Sequence, residues 1–189
     1  MCARELPRVM VVMGTRPEAI KLAPVVRALR ESALFRTVVV AAGQHRELLS
    51  QVLEVFSLEP DYCLEAMVAG QSLGRLTGRL LASLENVVAH ERPEAVLVQG
   101  DTTTALAGAL AAFYARIPVG HVEAGLRSGD RYAPFPEEIN RRLISQLASW
   151  HFAPTEGSRE ALLREGVPAA GIVVTGNTGI DALYQTLEL

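Results

Sequence analysis

Two carboxylates stand where apolar runs break off into turns. One is Asp101 in Gln99-Gly100-Asp101-Thr102-Thr103-Thr104, the other Glu123 in Gly120-His121-Val122-Glu123-Ala124-Gly125. Alternation along the second run puts His121 and Glu123 on one side and Val122 on the other, with Glu123 where the run leaves its strand. Asp101 is open to a structural use as the N-cap of a following helix, although Thr102 and Thr103 could cap it equally well. Glu123 has no helix start beside it to cap. Two carboxylates sharing one mouth can have their pKa values driven apart by proximity and partial burial, one then serving as acid and the other as base. The chemistry this suggests is proton transfer.

The cations are as informative. Of the 18 basic residues only Lys21 is a lysine, so arginine is used wherever any cation will do. An ammonium is a compact point charge that a guanidinium fork does not imitate, which makes Lys21 either a functional exception or a chance survivor. It lies in Gly14-Thr15-Arg16-Pro17-Glu18-Ala19-Ile20-Lys21, one turn beyond a helix start at Pro17. The stretch matches neither G-x-G-x-x-G nor a Walker loop. A glycine turn entering a helix nevertheless offers free backbone N–H groups and a positive dipole end to an anion, with Arg16 beside it. The alternative is Arg16 paired with a surface carboxylate and Lys21 solvated.

Other polar groups have two uses each. Gln44 and His45, in Gly43-Gln44-His45-Arg46-Glu47, could hydrogen-bond a sugar or a ligand carbonyl, or cap a helix. Glu137 with Arg141 and Glu138 with Arg142 stand at i,i+4 spacing, which by itself describes two surface ion pairs at a helix start. Segment 128–136 is too long and too rich in turn formers for a tight connection, and could close over a ligand. His90 and His151 read as structural.

These residues need a scaffold. Short apolar runs at 8–13, 37–42, 95–99, 118–122, 150–153 and 172–175 read as strands buried on both faces. Between them, 3.6-residue periodicity predicts helices over 17–30, 46–56, 73–90, 103–115, 137–148, 158–164 and 178–187. Pro24 falls inside the first and should kink it. Strands alternating with helices make βαβ units, hence an α/β, doubly wound parallel sheet of Rossmann-like type. Ligands then bind beyond the carboxyl ends of the strands, where Asp101, Glu123 and Lys21 all fall. One domain over 1–189 is expected, with a final helix that meets no Gly or Pro stop signal and looks cut or short.

Composition narrows the classes of partner. The 189 residues are 49% hydrophobic and carry a formal charge of −3 without long single-sign runs, so nucleic acid is not an expected partner. Cys2 and Cys63 make no metal spacing and no disulfide framework. No run of 18 apolar residues occurs and the amino-terminal run is shorter than a signal-peptide core, so a cytoplasmic protein that does not enter the membrane is expected.

Taken together the motifs are similar to those of the non-hydrolysing UDP-N-acetylglucosamine 2-epimerase family. The matching stretches are GTRPEAIK (14–21), GQHRE (43–47), QGDTTT (99–104), PVGHVEAGLRSGD (118–130), PFPEEINR (134–141) and TGNTGIDAL (175–183). The resemblance implies the N-terminal half of a two-domain, glycosyltransferase-B-like enzyme that works as a cytoplasmic homodimer in cell-envelope polysaccharide biosynthesis. It implies interconversion of UDP-N-acetylglucosamine and UDP-N-acetylmannosamine by elimination of UDP to 2-acetamidoglucal and re-addition. It implies no cofactor and no metal. Carried over, the catalytic carboxylates are Asp101, Glu123 and Glu137, with Arg16 and Lys21 at the substrate; Gln44, His45, Asp101 and Glu123 are expected to contact the substrate as well. A second domain, absent from these 189 residues, would hold most uridine contacts and a catalytic histidine. The competing expectations are a hydrolysing epimerase or other sugar-nucleotide enzyme of the same architecture, and a catalytically silent UDP-sugar-binding or regulatory module.

Overall fold

The computed structural model describes residues 6–43 and 46–187. Seven parallel strands form one sheet: β1 (Arg8–Met13), β2 (Arg36–Ala41), β3 (Tyr62–Cys63), β4 (Ala95–Gln99), β5 (Val119–Val122), β6 (Trp150–Ala153) and β7 (Ile172–Val174), in the order β3-β2-β1-β4-β5-β6-β7. The helices are α1 (Arg16–Glu31), α2 (Arg46–Val55), α3 (Leu73–Glu91), α4 (Thr103–Tyr114), α5 (Glu137–Leu147), α6 (Glu156–Arg164) and α7 (Thr178–Leu187). This is the expected doubly wound arrangement. Strand order reverses between β1 and β4, and that reversal opens a crevice at the strands' carboxyl ends. β3 was not foreseen: two residues after Pro60-Asp61 are too few to show a period.

Both faces of the sheet are covered, as parallel strands require. In register, Val11 pairs with Val39 and Leu97, so one face presents Val9, Val11, Met13, Val39 and Ala41 to α1 and α2. The other presents Met10, Val12, Val38, Val40, Val96 and Val98 to α3 and α4, with Ile144 of α5 in the same cluster. α4 is rich in alanine because it must lie close to the strands: a Cβ on its Gly108 would come 3.1 Å from Val98 Cγ1. α6 covers the far end through Ala153, Leu162 and Ile172. α1 runs without interruption through Pro24, whose ring is buried.

Candidate active site

Five chain segments meet at the crevice, and each is fixed by its local sequence. The turn from β1 into α1 is drawn in by Glu18. Its carboxylate, 1% exposed, accepts the Gly14 N–H at 2.9 Å, the Thr15 N–H at 2.6 Å and the Thr102 hydroxyl at 2.6 Å. The backbone N–H groups expected to await a ligand anion are therefore taken by the chain's own carboxylate. Burial pushes the Glu18 carboxyl above its ordinary 4.5, against hydrogen bonds from Thr102, Thr15 and Gly14 that pull it back. The same contacts tie the β1–α1 turn to the β4–α4 turn. Gly14 permits this approach, since a Cβ there would lie 2.2 Å from Thr104 Oγ1.

The β4–α4 turn carries Asp101. Thr102 is the N-cap of α4, accepting the Ala105 N–H at 3.0 Å, so Asp101 is released from capping. Its carboxylate instead pairs with Arg141 of α5, and its carbonyl accepts from the buried Asn140 amide at 2.9 Å. Gly100, at φ 71°, makes the turn, and its carbonyl accepts the His121 Nε2–H at 2.7 Å. His121 is fully buried. Desolvation lowers its pKa from 6.5 to about 4, with the Gly100 carbonyl opposing and His151, Arg127 and Arg141 adding to the fall.

Glu123 follows β5 in the left-handed region, φ 64°, where a side chain other than glycine costs about 1–3 kcal/mol. Three donors converge on its carboxylate. Lys21 Nζ reaches both oxygens at 2.6 Å, Gln99 donates to Oε2, and Asn177, just before α7, donates to Oε1 at 3.5 Å. A Cβ on Gly100 would sit 3.9 Å from Glu123 Oε2, so this carboxylate lies against the turn that bears Asp101. The structure thus brings Asp101, Glu123 and Lys21 into one crevice. Lys21 is partly exposed there but not free; its ammonium is engaged by Glu123.

Glu137 and its neighbour divide differently from their spacing. Glu138, wholly buried, accepts from the Ser128 N–H at 3.0 Å and from Arg142 Nε at 3.0 Å. Burial raises its carboxyl, but Ser128, Arg142 and Arg141 outweigh that and hold it below its ordinary value. Arg141 spans Asp101 and Glu138, the latter at 3.4 Å. The Glu137–Arg141 pair that i,i+4 spacing allows does not form, Arg141 being engaged by Asp101 and Glu138, and Glu137 makes no hydrogen bond or ion pair among the described residues. It sits half-buried at the first turn of α5, free to meet a ligand.

Arg16 opens α1 and is exposed, without a hydrogen-bond partner among the described residues, at the rim of a cavity of about 490 Å³ with Gln51, Phe56 and Leu183. Gln44 and His45 lie outside the described residues. His151 is structural as expected, its ring nitrogens facing the Ser145 carbonyl at 2.9 Å and the Gly171 carbonyl at 3.3 Å. Segment 128–136 presents Tyr132 and Phe135 to solvent. Among the described residues no cluster of His, Cys, Asp and Glu could hold a metal ion, and no helix is long and apolar enough to cross a membrane. Sequence reasoning missed Gln99, Asn177 and Glu18 as members of this network. Gln99 alone gave a signal, as the one polar residue of an otherwise apolar strand.

Comparison with known proteins bears on what this arrangement serves. A family model described as UDP-N-acetylglucosamine 2-epimerase matches residues 27–189. UDP-N-acetylglucosamine 2-epimerase of Salmonella typhimurium is 58% identical over 176 residues, covering 93% of this chain and 47% of that protein. That of Escherichia coli is 57% identical over 176 residues, with the same coverage. The crystal structure of UDP-GlcNAc 2-epimerase from Neisseria meningitidis bound to UDP-GlcNAc superposes with a TM-score of 0.93 at 52% identity, covering 96% of this chain and 49% of that one. A lipopolysaccharide outer core galactosyltransferase shares the fold alone, at a TM-score of 0.61 and 11% identity. The chain spans about half the length of the curated relatives it matches.

Proposed function

The chain belongs to the UDP-N-acetylglucosamine 2-epimerase family, and on that premise we propose that it is the N-terminal half of an enzyme interconverting UDP-N-acetylglucosamine and UDP-N-acetylmannosamine. The observation that carries the reading is the pair Asp101 and Glu123 at the ends of neighbouring strands β4 and β5, each held by its own cation. The C2 hydrogen of the sugar is not next to a carbonyl, so its direct removal to a carbanion would be very hard. Elimination avoids that: a carboxylate takes the C2 proton, the C1–O bond breaks with its electron pair leaving on UDP, and 2-acetamidoglucal forms. Re-addition of UDP at C1, with a proton delivered to the other face of C2, gives the epimer.

Asp101, Glu123 and Glu137 are the carboxylates for these proton transfers, with Arg16, Lys21, Gln44 and His45 around the substrate. Lys21 is suited to a double task, since its partly exposed ammonium can share Glu123 with a phosphate of the substrate. The working enzyme in this reading is a cytoplasmic homodimer. Each subunit adds a second nucleotide-binding domain across the crevice. The UDP-GlcNAc bound in the Neisseria meningitidis relative supports the substrate class.

The test is UDP-N-acetylglucosamine incubated in D2O with the protein carrying both halves, followed by NMR. UDP-N-acetylmannosamine with deuterium at C2 is the expected product. Free N-acetylmannosamine and UDP would instead indicate a hydrolysing enzyme, and binding without turnover a silent module; either result rejects the proposal.

A further inference from the structure

Glu123 is held by three donors of very different character, and the difference assigns them different tasks. Lys21 reaches it on a flexible stem from α1, is partly exposed, and bonds both oxygens at 2.6 Å. Asn177 touches Oε1 at the limit of a hydrogen bond, 3.5 Å. Gln99 is 3% exposed and closes β4 in register with Val122 of β5, two residues beyond Leu97, which pairs with Val11 of β1. Its amide donates to Oε2. A strand reading Ala-Val-Leu-Val-Gln gains nothing by ending in a buried amide unless that amide is bonded, because an unpaired polar group in the interior is costly. The amide nitrogen must face the carboxylate, since its oxygen there would repel.

Resting on the epimerase reading above, we infer that Gln99 is the positioning residue that fixes the Glu123 carboxylate while substrate occupies the crevice. The left-handed φ of Glu123 sets where its Cβ points, but leaves the carboxylate free to turn about its own side-chain bonds. A substrate phosphate competes with Glu123 for the Lys21 ammonium, and so loosens that contact when it matters. Gln99 has no such competitor: it is buried, short, and mounted on the central sheet. It therefore keeps Oε2 in place, leaving the remaining lone pairs of Glu123 presented toward the sugar for proton transfer. Misplacing an acid–base group by about 1 Å can cost about 100-fold, which sets the scale of the expected effect.

The experiment uses the protein with both halves present and compares wild type, Gln99→Met, Glu123→Gln and the double variant. Methionine keeps the length and bulk of glutamine and removes the donor. The expected result is a fall in kcat of about 10- to 100-fold for Gln99→Met, with KM for UDP-N-acetylglucosamine within about threefold and thermal melting unchanged. In the Glu123→Gln background the same substitution should change the residual rate by less than about twofold, because the group it positions is gone. Multiplicative effects in the double variant would mean that Gln99 merely packs the crevice, and would overturn the inference. So would wild-type kcat in Gln99→Met. Should that variant not fold, Gln99→Asn keeps an amide one methylene too short and is read by the same cycle. If the wild type itself forms no UDP-N-acetylmannosamine, the functional reading fails and the inference falls with it; an active wild type with an indifferent Gln99 rejects the inference alone.

Discussion

Acid should loosen the crevice through one histidine. His121 is fully buried between β4 and β6, and its Nε2–H is committed to the Gly100 carbonyl. Its other nitrogen, Nδ1, is buried without a hydrogen-bond partner among the described residues, so a proton added there gains no acceptor and must be carried out of water. Desolvation accordingly lowers the pKa from 6.5 to about 4, with His151, Arg127 and Arg141 opposing the same charge. The unfolded chain binds this proton below pH 6.5 and the folded one only near 4, so stability present above 6.5 is lost as pH falls across that interval. At 1.36 kcal/mol per pH unit the whole interval is worth about 3 kcal/mol, and most of that is already lost at pH 4.5. Urea unfolding followed by circular dichroism at pH 7 and pH 4.5 measures it, against His121→Gln, whose amide can still donate to Gly100 and cannot titrate. Glu138 and Glu165, both held below their ordinary values in the fold, also lose stability in acid, but equally in both proteins, so the difference between them isolates His121. Wild type and His121→Gln losing stability in parallel would refute the reasoning.

Four further outcomes follow from the same geometry. Asp101→Asn and Glu123→Gln, in the protein with both halves, should each lower turnover at least ~100-fold with an unchanged fold by circular dichroism; near wild-type exchange of the C2 hydrogen with D2O in either variant removes that residue from acid–base work. Lys21→Arg should fail almost as badly as Lys21→Ala in turnover and substrate affinity, because a bulkier, planar guanidinium would replace a compact ammonium that bonds both Glu123 oxygens at 2.6 Å. Wild-type behaviour of Lys21→Arg would show that only charge is needed. Gly14→Ala should cost about 1–3 kcal/mol of unfolding free energy, since the new methyl meets Thr104 at 2.2 Å; a melting curve superimposable on wild type would mean the turn can shift. Glu123→Gly should be more stable than Glu123→Ala by about 1 kcal/mol, both lacking the carboxylate, because relief of the φ 64° strain outweighs the larger backbone entropy that glycine loses on folding; equal denaturation midpoints would show that the strain at residue 123 does not exceed that entropy.

The scaffold was legible because its signals are periodic. Apolar runs such as Val9–Met13 and Val96–Val98 are buried on both faces, which is what their unbroken hydrophobicity predicts, and the helices between them carry their apolar positions at helical spacing. From that order alone the strand ends, and so the meeting of Asp101, Glu123 and Lys21, could be anticipated. β3 was invisible because two residues cannot show alternation. Glu137 and Arg141 illustrate a different limit: i,i+4 spacing says that two side chains can meet, but Arg141 points into the crevice, where Asp101 and the wholly buried Glu138 compete for it more strongly than a half-exposed partner does.

What periodicity cannot register is a residue whose contribution depends on a distant strand. Glu18 reads as an ordinary acid in the first turn of a helix, and half of its role is that: it accepts the Thr15 N–H as a helix-start acid should. The other half, its bond to Thr102 across 84 positions of chain, depends on β1 and β4 being neighbours, which only the sheet's reversal of order supplies. Gln99 and Asn177 are of the same kind. Each is polar at the end of a strand or just beyond one, each acquires its partner only when the ends of β4, β5 and β7 converge on one crevice, and that partner is Glu123. The strain at Glu123 follows from this convergence: its left-handed backbone costs free energy that glycine would avoid, and the fold sustains it because ammonium, buried amide and second amide all bind the same carboxylate. A side chain held by donors from three separate chain segments in an unfavoured backbone conformation is what the proposed proton transfer at Glu123 calls for, and folding alone does not call for it.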